Sequence, residues 1–310
     1  MSADTALAPA EALARSAERT RFATAAERVA DEALDARSAA EFLGVDDASV
    51  EALLRSGLVP TGPRGIAYHD VAALGLNSGL GTSVSERGIA MMMRFARGGV
   101  EPLLGPVDWA FTVTLDPSAS DGAVEVREPS EGGVLLSVAP GRRTVTGRLR
   151  TFGRWSPFVA AELDRSFDRW VADVAPDGPL QFQWVSDVGR EDPVARLAEG
   201  RVDCVCLALV AADRLARLGF ATRLQRGRVL GLLDAQHVWL SVLDEDGEWK
   251  RFDPMLAVHS RRLWGRDTDR ADAFRGHVVN AMPGWAGTGT AVRVGGHDVL
   301  HTFTARKESR

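Results

Sequence analysis

Three residues capable of nucleophilic chemistry follow one another along one stretch of the chain: Cys204, His237 and Asp253. A thiol becomes a useful nucleophile when a base takes its proton and a third group holds the base's ring in one tautomer. Cys204 opens an apolar run to Leu218, with Leu207, Ala211, Leu215 and Leu218 at helical spacing and Gly219 as the stop. That spacing predicts a helix with the cysteine at its N-terminus. Unpaired N–H groups and the positive end of the dipole favour a thiolate there, and the same N–H groups could hold a developing oxyanion. Phe220-Ala-Thr-Arg-Leu-Gln225, His237-Val-Trp-Leu-Ser-Val242 and Trp249-Lys-Arg-Phe-Asp253 read as strands, the last two joined by an Asp244-Glu-Asp-Gly247 turn. Antiparallel neighbours joined in this way place His237 and Asp253 at one end of a sheet.

Residues 194 to 256 resemble the transglutaminase-like core of the papain-like cysteine enzymes. The family pattern is Gly-x-Cys, an apolar helix, Gly-Ile-Pro-Ala-Arg, His-Ala-Trp, and a Trp-rich strand ending in Asp-Pro. Its counterparts here are Asp203-Cys204, Leu218-Gly-Phe-Ala-Thr-Arg223, His237-Val-Trp239 and Trp249-Lys-Arg-Phe-Asp-Pro254. Val202 and Asp203 replace the Gly-x before the cysteine, and Ala-Thr replaces Pro-Ala; neither departure touches the three catalytic positions. The resemblance implies Cys204 as nucleophile, His237 as general base and acid, and Asp253 as orienting partner. The glycine fifteen residues after Cys204 selects it over Cys206. It further implies acyl transfer through a thioester on a peptide or amide substrate, the acyl group passing to an amine or to water. Such a cysteine acyltransferase, protease or amidase needs no cofactor. An oxyanion hole of this kind uses a second donor upstream of the cysteine. Trp184 and Gln183 are candidates by position, with Trp170 a third, and Trp184 is preferred. Cys206 reads as a small buried hydrophobe, and Trp239 and Trp249 as core.

The elements around this block follow from pattern and turn chemistry. Residues 9 to 35 are Ala-rich with a weak helical stripe. Ser38-Ala-Ala-Glu41 reads as a capping box opening a short helix to Leu43, and Asp46 or Asp47 as the cap of a second helix carrying Val50, Leu53 and Leu54. Ile66 to Asp70 reads as a short strand leading into another helix. Ala39-Ala-Glu-Phe-Leu-Gly-Val45, Val50 to Val59 and Tyr68-His-Asp-Val71 together resemble the winged helix of MerR-type regulators and phage excisionases. A DNA reader offers Arg, Lys, Asn or Gln from its second helix. Here residues 35 to 71 hold six acids against three arginines, Arg37, Arg55 and Arg64, a balance that repels phosphate. The module is therefore expected to pack or to bind peptide, as leader-binding winged helices do in peptide-modifying enzymes, and DNA is disfavoured. Residues 81 to 103 look helical, with the three consecutive methionines, Met91 to Met93, as core filler. Residues 110–115, 123–127, 133–138 and 143–149 alternate as strands of a small antiparallel sheet. A helix is expected over 157–173 and a strand over 180–185.

The expected fold class is α+β: an N-terminal helical segment (1–35), a winged-helix-like helical module (36–104), a β-rich connector (105–150) and a C-terminal papain-like transglutaminase core (151–310). A net charge of -5 gives no basic field for nucleic acid or anionic lipid. Two cysteines cannot build a disulfide framework or a four-ligand zinc site. His69, His259, His277, His297 and His301 lack paired ligand positions on one helical face, so no metal is predicted. The N-terminus lacks a signal pattern and no apolar run reaches the ~20 residues of a membrane span, so a cytoplasmic location is expected. The competing readings are a DNA-binding regulator with a transglutaminase-like sensor domain, and an inactive scaffold. Nothing in the sequence speaks to oligomeric state.

Overall fold

The structure, a computed structural model, describes residues 9–92, 104–118, 122–127, 133–136, 143–175, 178–229, 237–264, 274–276, 281–283 and 290–308. Met93, Phe95, Leu103, Ser137, Val138 and His277 lie outside the described residues. The fold is α+β. The chain starts with α1 (Pro9–Arg19), α2 (Ala25–Ala30), β1 (Ala33–Leu34), α3 (Ala36–Leu43), α4 (Asp47–Arg55), β2 (Ile66–Ala67), α5 (Tyr68–Asn77) and α6 (Val84–Met92). Next come β3 (Gly105–Leu115), β4 (Val124–Arg127), β5 (Gly133–Leu136), β6 (Thr144–Gly153) and α7 (Ala161–Asp173). Then follow β7 (Gln181–Phe182), α8 (Asp187–Arg190), α9 (Pro193–Ala198), β8 (Arg201–Val202), α10 (Cys204–Arg217), β9 (Thr222–Val229), β10 (His237–Leu243) and β11 (Trp249–Phe252). The last are α11 (Pro254–Trp264), β12 (Arg275–Gly276), β13 (Ala281–Pro283), β14 (Val292–Val294), β15 (His297–Asp298) and β16 (His301–Lys307).

Two compact units emerge, each built from two stretches of chain where four consecutive segments were expected. One takes Met1–Met91 with Asp173–Leu207, the other Met92–Ala172 with Ala208–Arg310. In the first, α1, α3, α4 and α5 close on Leu13, Ala40, Leu43, Val50, Leu53, Val71 and Leu74. The cap of α3 is Asp35, whose carboxylate accepts the Ser38 N–H at 2.7 Å, and not the Ser38 box expected from sequence. Glu41 is drawn instead to Arg37, one turn away. Asp46 caps α4 through the Ser49 N–H. Gly44 ends α3 at φ +68, where a Cβ would stand 2.6 Å from the Thr82 carbonyl oxygen. The strand expected over 66–70 is only β2, because its partner β1 offers two residues and α5 begins at Tyr68. Likewise β7 keeps only Gln181 and Phe182 of the strand expected over 180–185, pairing in parallel with β8. Met91 is 51 % exposed and so is not core filler.

In the second unit β3 alternates Val107, Trp109, Phe111, Val113 and Leu115 into a core shared with β4, β6, β14 and β16. The antiparallel order β16-β3-β6 sets Phe303 opposite Val113 and Val113 opposite Val145. A second sheet runs β15-β14-β4-β5. The strands of residues 105–150 thus complete their sheets with the last strands of the chain. The five-stranded sheet β12-β11-β10-β9-β13 carries the chemistry-bearing strands. α7 begins at Ala161 and not at 157, because Asp244 takes the N–H groups of Val159 and Ala160 at 2.7 and 3.0 Å.

Candidate active site

The hairpin that carries the His–Asp pair is locked at its turn. Asp244 N–H donates to the Glu248 carbonyl and Gly247 N–H to the Asp244 carbonyl, closing the turn at 3.0 Å each. Lys250, fully buried, sends its ammonium to Asp244 (2.8 Å), Asp246 (2.5 Å) and the Pro157 carbonyl (2.7 Å). With Leu240 opposite Phe252, His237 and Asp253 overhang the same end of β10 and β11. Their side chains meet: His237 Nε2 lies 2.9 Å from Asp253 Oδ2 and 3.1 Å from Oδ1. Both residues are buried.

Asp253 has two further partners that the sequence did not announce. Arg251 donates to Asp253 Oδ2 from Nε at 3.1 Å and from Nη2 at 2.8 Å, and its guanidinium lies over Trp239 at 4.3 Å. The Trp239 ring stacks beside His237, centroids 6.2 Å apart. Asp253 also accepts the Leu256 N–H, as the cap of a helix whose first residue is Pro254. The Asp-Pro pair therefore ends a strand and starts α11 in one step. Burial pushes the Asp253 carboxyl up, yet the charges and hydrogen bonds of His237 and Arg251 outweigh it, and it is lowered to about 2. An imidazole whose Nε2–H faces a carboxylate takes up a proton at Nδ1.

Cys204 stands in the first unit, as the first residue of α10, half-buried. The helix forms as the spacing predicts, with Leu207, Ala211 and Leu215 buried, but Leu218 is 50 % exposed and leaves the stripe. Asp203 caps it: Oδ1 accepts the Cys206 N–H at 2.8 Å, so one of the first-turn donors expected for an oxyanion is already used. Cys206 is fully buried, and burial, reinforced by Asp203, pushes its thiol up to about 12. That leaves Cys204 as the chemically accessible thiol.

The oxyanion candidates separate. Trp170 is core in the second unit, with the Arg214 guanidinium 4.3 Å from its ring. Trp184 is half-buried and packed edge-on to Phe182 at 5.8 Å. Gln183 continues the β7–β8 ladder, its N–H on the Val202 carbonyl at 3.0 Å, which brings it beside the residues leading into Cys204. Its side chain is buried, and Oε1 has no hydrogen-bond partner among the described residues. A buried amide in that state costs about 1–3 kcal/mol, and a half-turn about its last bond presents N–H in the same place.

Of the remaining histidines, His69 pairs with Asp31 at 2.8 Å and His301 with the Val299 carbonyl at 2.9 Å. Among the described residues no group of His, Cys, Asp and Glu is placed to hold a metal ion, and no helix is long and apolar enough to cross a membrane. Trp239 is buried as expected, whereas Trp249 is half-buried beneath the Arg223 guanidinium at 3.8 Å. No family model matches the chain, and no curated protein or solved structure matches it either.

Proposed function

We propose that the protein catalyses acyl transfer or amide hydrolysis through a thioester on Cys204, with His237 as base and acid and Asp253 as its orienting partner. The observation that carries this reading is the buried His237–Asp253 contact at a sheet end, with Arg251 and the start of α11 fixing the carboxylate. His237 accepts the Cys204 proton at Nδ1. Sγ then forms a bond to the substrate carbonyl carbon, and the negative charge moves onto the carbonyl oxygen. The Cys204 N–H and the Gln183 amide are the proposed donors to that oxygen, Gln183 in preference to Trp184. Collapse returns the proton from His237 to the departing amine; water or a second amine then releases the acyl group by the same path in reverse. A working thiol of this kind suits a reducing compartment, and the cytoplasm is the proposed location.

The substrate proposed is a peptide or other amide, with the α3–α4 module as the element that holds it. On that module Arg37 pairs with Glu41 and Arg55 with Glu51, both at 3.3 Å. Arg64 is spent on the Val29 and Asp31 carbonyls at 2.9 and 2.8 Å. With all three arginines engaged and Asp47 and Glu51 exposed on α4, the module favours a peptide over a duplex.

The test is intact-mass analysis after brief iodoacetamide treatment at about pH 6.5, where an ordinary thiol is barely ionised. Rapid single labelling that Cys204→Ala abolishes and His237→Ala slows is the expected result, followed by acyl-enzyme trapping with peptide thioesters. Slow labelling indifferent to His237→Ala would sink the reading in favour of an inactive scaffold.

A further inference from the structure

The chemistry above leaves Asp203 unexplained, and a carboxylate directly before a nucleophilic thiol is an awkward neighbour. Its charge opposes a thiolate, and burial removes the water that would screen it. Asp203 is 1 % exposed. Its two oxygens are divided: Oδ1 takes the Cys206 N–H at 2.8 Å, and Oδ2 takes Nε of Arg190 at 2.8 Å. Arg190 ends α8 and is itself held by Asp187, one turn back, at 2.8 Å. Ser186 caps that short helix through the Gly189 N–H at 3.2 Å. The guanidinium thus reaches the start of α10 from a neighbouring element, with its geometry fixed from both sides.

We propose that Arg190 is a positioning residue for Cys204: through its pair with Asp203 it holds the capped first turn of α10 and cancels the carboxylate charge beside the thiol. This role presupposes Cys204 as the nucleophile. Among the described residues, two further charged groups on the elements flanking α10 are neutralised or in water. Arg201, three residues earlier, is buried against Glu27 and Glu199 at 2.6 Å each, and Asp187 is almost fully exposed. Cys206 stays a neutral thiol. Burial works against the Arg190 charge, but Asp203 outweighs it and holds the guanidinium protonated. Loss of Arg190 would leave a buried anion next to the thiol and free it to swing off the Cys206 N–H.

The experiment follows iodoacetamide labelling of Cys204 by intact mass in the full chain, across the pH range of thiol ionisation, with a melting curve for each variant. Arg190→Ala is expected to move the labelling midpoint upward, so that labelling below the midpoint falls about tenfold, the effect of one pKa unit. Arg190→Lys keeps the charge and should restore most of the rate. In an Asp203→Asn background, which keeps a capping oxygen but no charge, Arg190→Ala should no longer move the midpoint. An unmoved midpoint in Arg190→Ala, or an equal movement with Asp203→Asn, overturns the proposal. Should Arg190→Ala not hold its native melt, Asp203→Asn alone decides: its midpoint is expected to fall, and an unchanged one overturns the proposal. Failure of the acyl-transfer reading is distinct, because it appears as labelling indifferent to His237→Ala while the Arg190 comparison remains readable.

Discussion

Glu27 offers the sharpest test of how the N-terminal helices are tied to the segment that carries Cys204. It sits in α2, buried, and accepts from Arg201 at 2.6 and 3.2 Å and from Arg196 at 2.8 Å. Its own helix adds the Thr24 N–H at 2.8 Å, closing a capping box. Arg201 lies 174 residues away in β8, three residues before Cys204, and is buried as well. Breaking a buried pair costs about 3–5 kcal/mol, since the partner charge is left without compensation. Glu27→Gln keeps size and one acceptor oxygen, and Arg201 keeps Glu199, so the lower end applies: about 3 kcal/mol. For a unit of roughly 125 residues that is about 12 °C in Tm, and about 5 °C if the whole chain melts as one, from ordinary unfolding entropies. Burial pushes the Glu27 carboxyl up, but the Arg201 and Thr24 hydrogen bonds and the Arg201 charge outweigh it and hold it at about 2. Its stabilisation is therefore complete above the unfolded value of about 4.3 and is lost as pH falls through about 2. Urea unfolding of wild type and Glu27→Gln at neutral pH and between about pH 4 and 2 is the assay. A neutral-pH loss under about 1 kcal/mol, or a difference that survives acidification unchanged, would refute the reasoning. Glu41→Gln, in the exposed pair with Arg37, is the control and should cost no more than about 0.5 kcal/mol.

Asp70 should behave in the opposite sense. Burial drives its carboxyl up to about 6 against the Ala23 N–H and the charges of Arg28 and Arg201, and Oδ2 has no hydrogen-bond partner among the described residues. The folded chain then binds this proton more tightly than the unfolded one, so stability falls as pH rises from about 4 to about 6, by about 3 kcal/mol for two pKa units. Asp70→Asn should remove that slope and be the more stable protein at about pH 8; equal slopes in urea titrations at both ends would count against it. Lys250→Met should cost about 3 kcal/mol by stranding Asp244, with part recovered on adding Asp244→Asn. A urea-measured loss below about 1 kcal/mol would show that the hairpin under His237 and Asp253 does not depend on the buried ammonium.

What the sequence reveals here is period and punctuation; what it conceals is partnership. The start of α10 at Cys204, the strand from His237 and the turn at Asp244 to Gly247 are all local patterns, and all form as read. The end of the next strand was legible, but Pro254 looked like a stop when it is the first residue of α11, because Asp253 serves as both strand end and cap. Ser38 and Glu41 fit a capping box in sequence, yet Asp35 lies one turn earlier and a carboxylate is as good a cap as a hydroxyl. Arg201 and Glu27 look like two ordinary surface charges, since nothing short-range signals a pair across 174 residues. The closing of β3 by β16 and of β4 by β14 is hidden for the same reason: alternation says which face is buried, not which strand lies beside it. Acid counting hides individual roles in a related way. Asp35 and Asp46 cap helices while staying exposed, and Asp70 is buried against the Ala23 N–H, so Asp70 alone of the six acids over residues 35 to 71 is withdrawn from the surface.

The same economy bears on what Asp253 can do. One carboxylate serves His237, Arg251 and the first turn of α11, and these contacts lower it to about 2. A group held that far below neutrality does not take a proton from the imidazole near neutral pH. Its contact fixes the ring with Nε2–H toward itself, and in the proposed reaction it would stabilise the imidazolium once Nδ1 is protonated. Arg251 limits that second effect, because a guanidinium at 2.8 Å already consumes part of the negative charge. The contact is therefore suited to holding the ring, which is what the proposed reaction asks of it, a thiol being far more acidic than a hydroxyl to begin with. Arg251 beside Asp253 and Arg190 beside Asp203 fit one pattern, in which the proposed base and the proposed nucleophile each have a carboxylate next to them and each carboxylate has its own arginine.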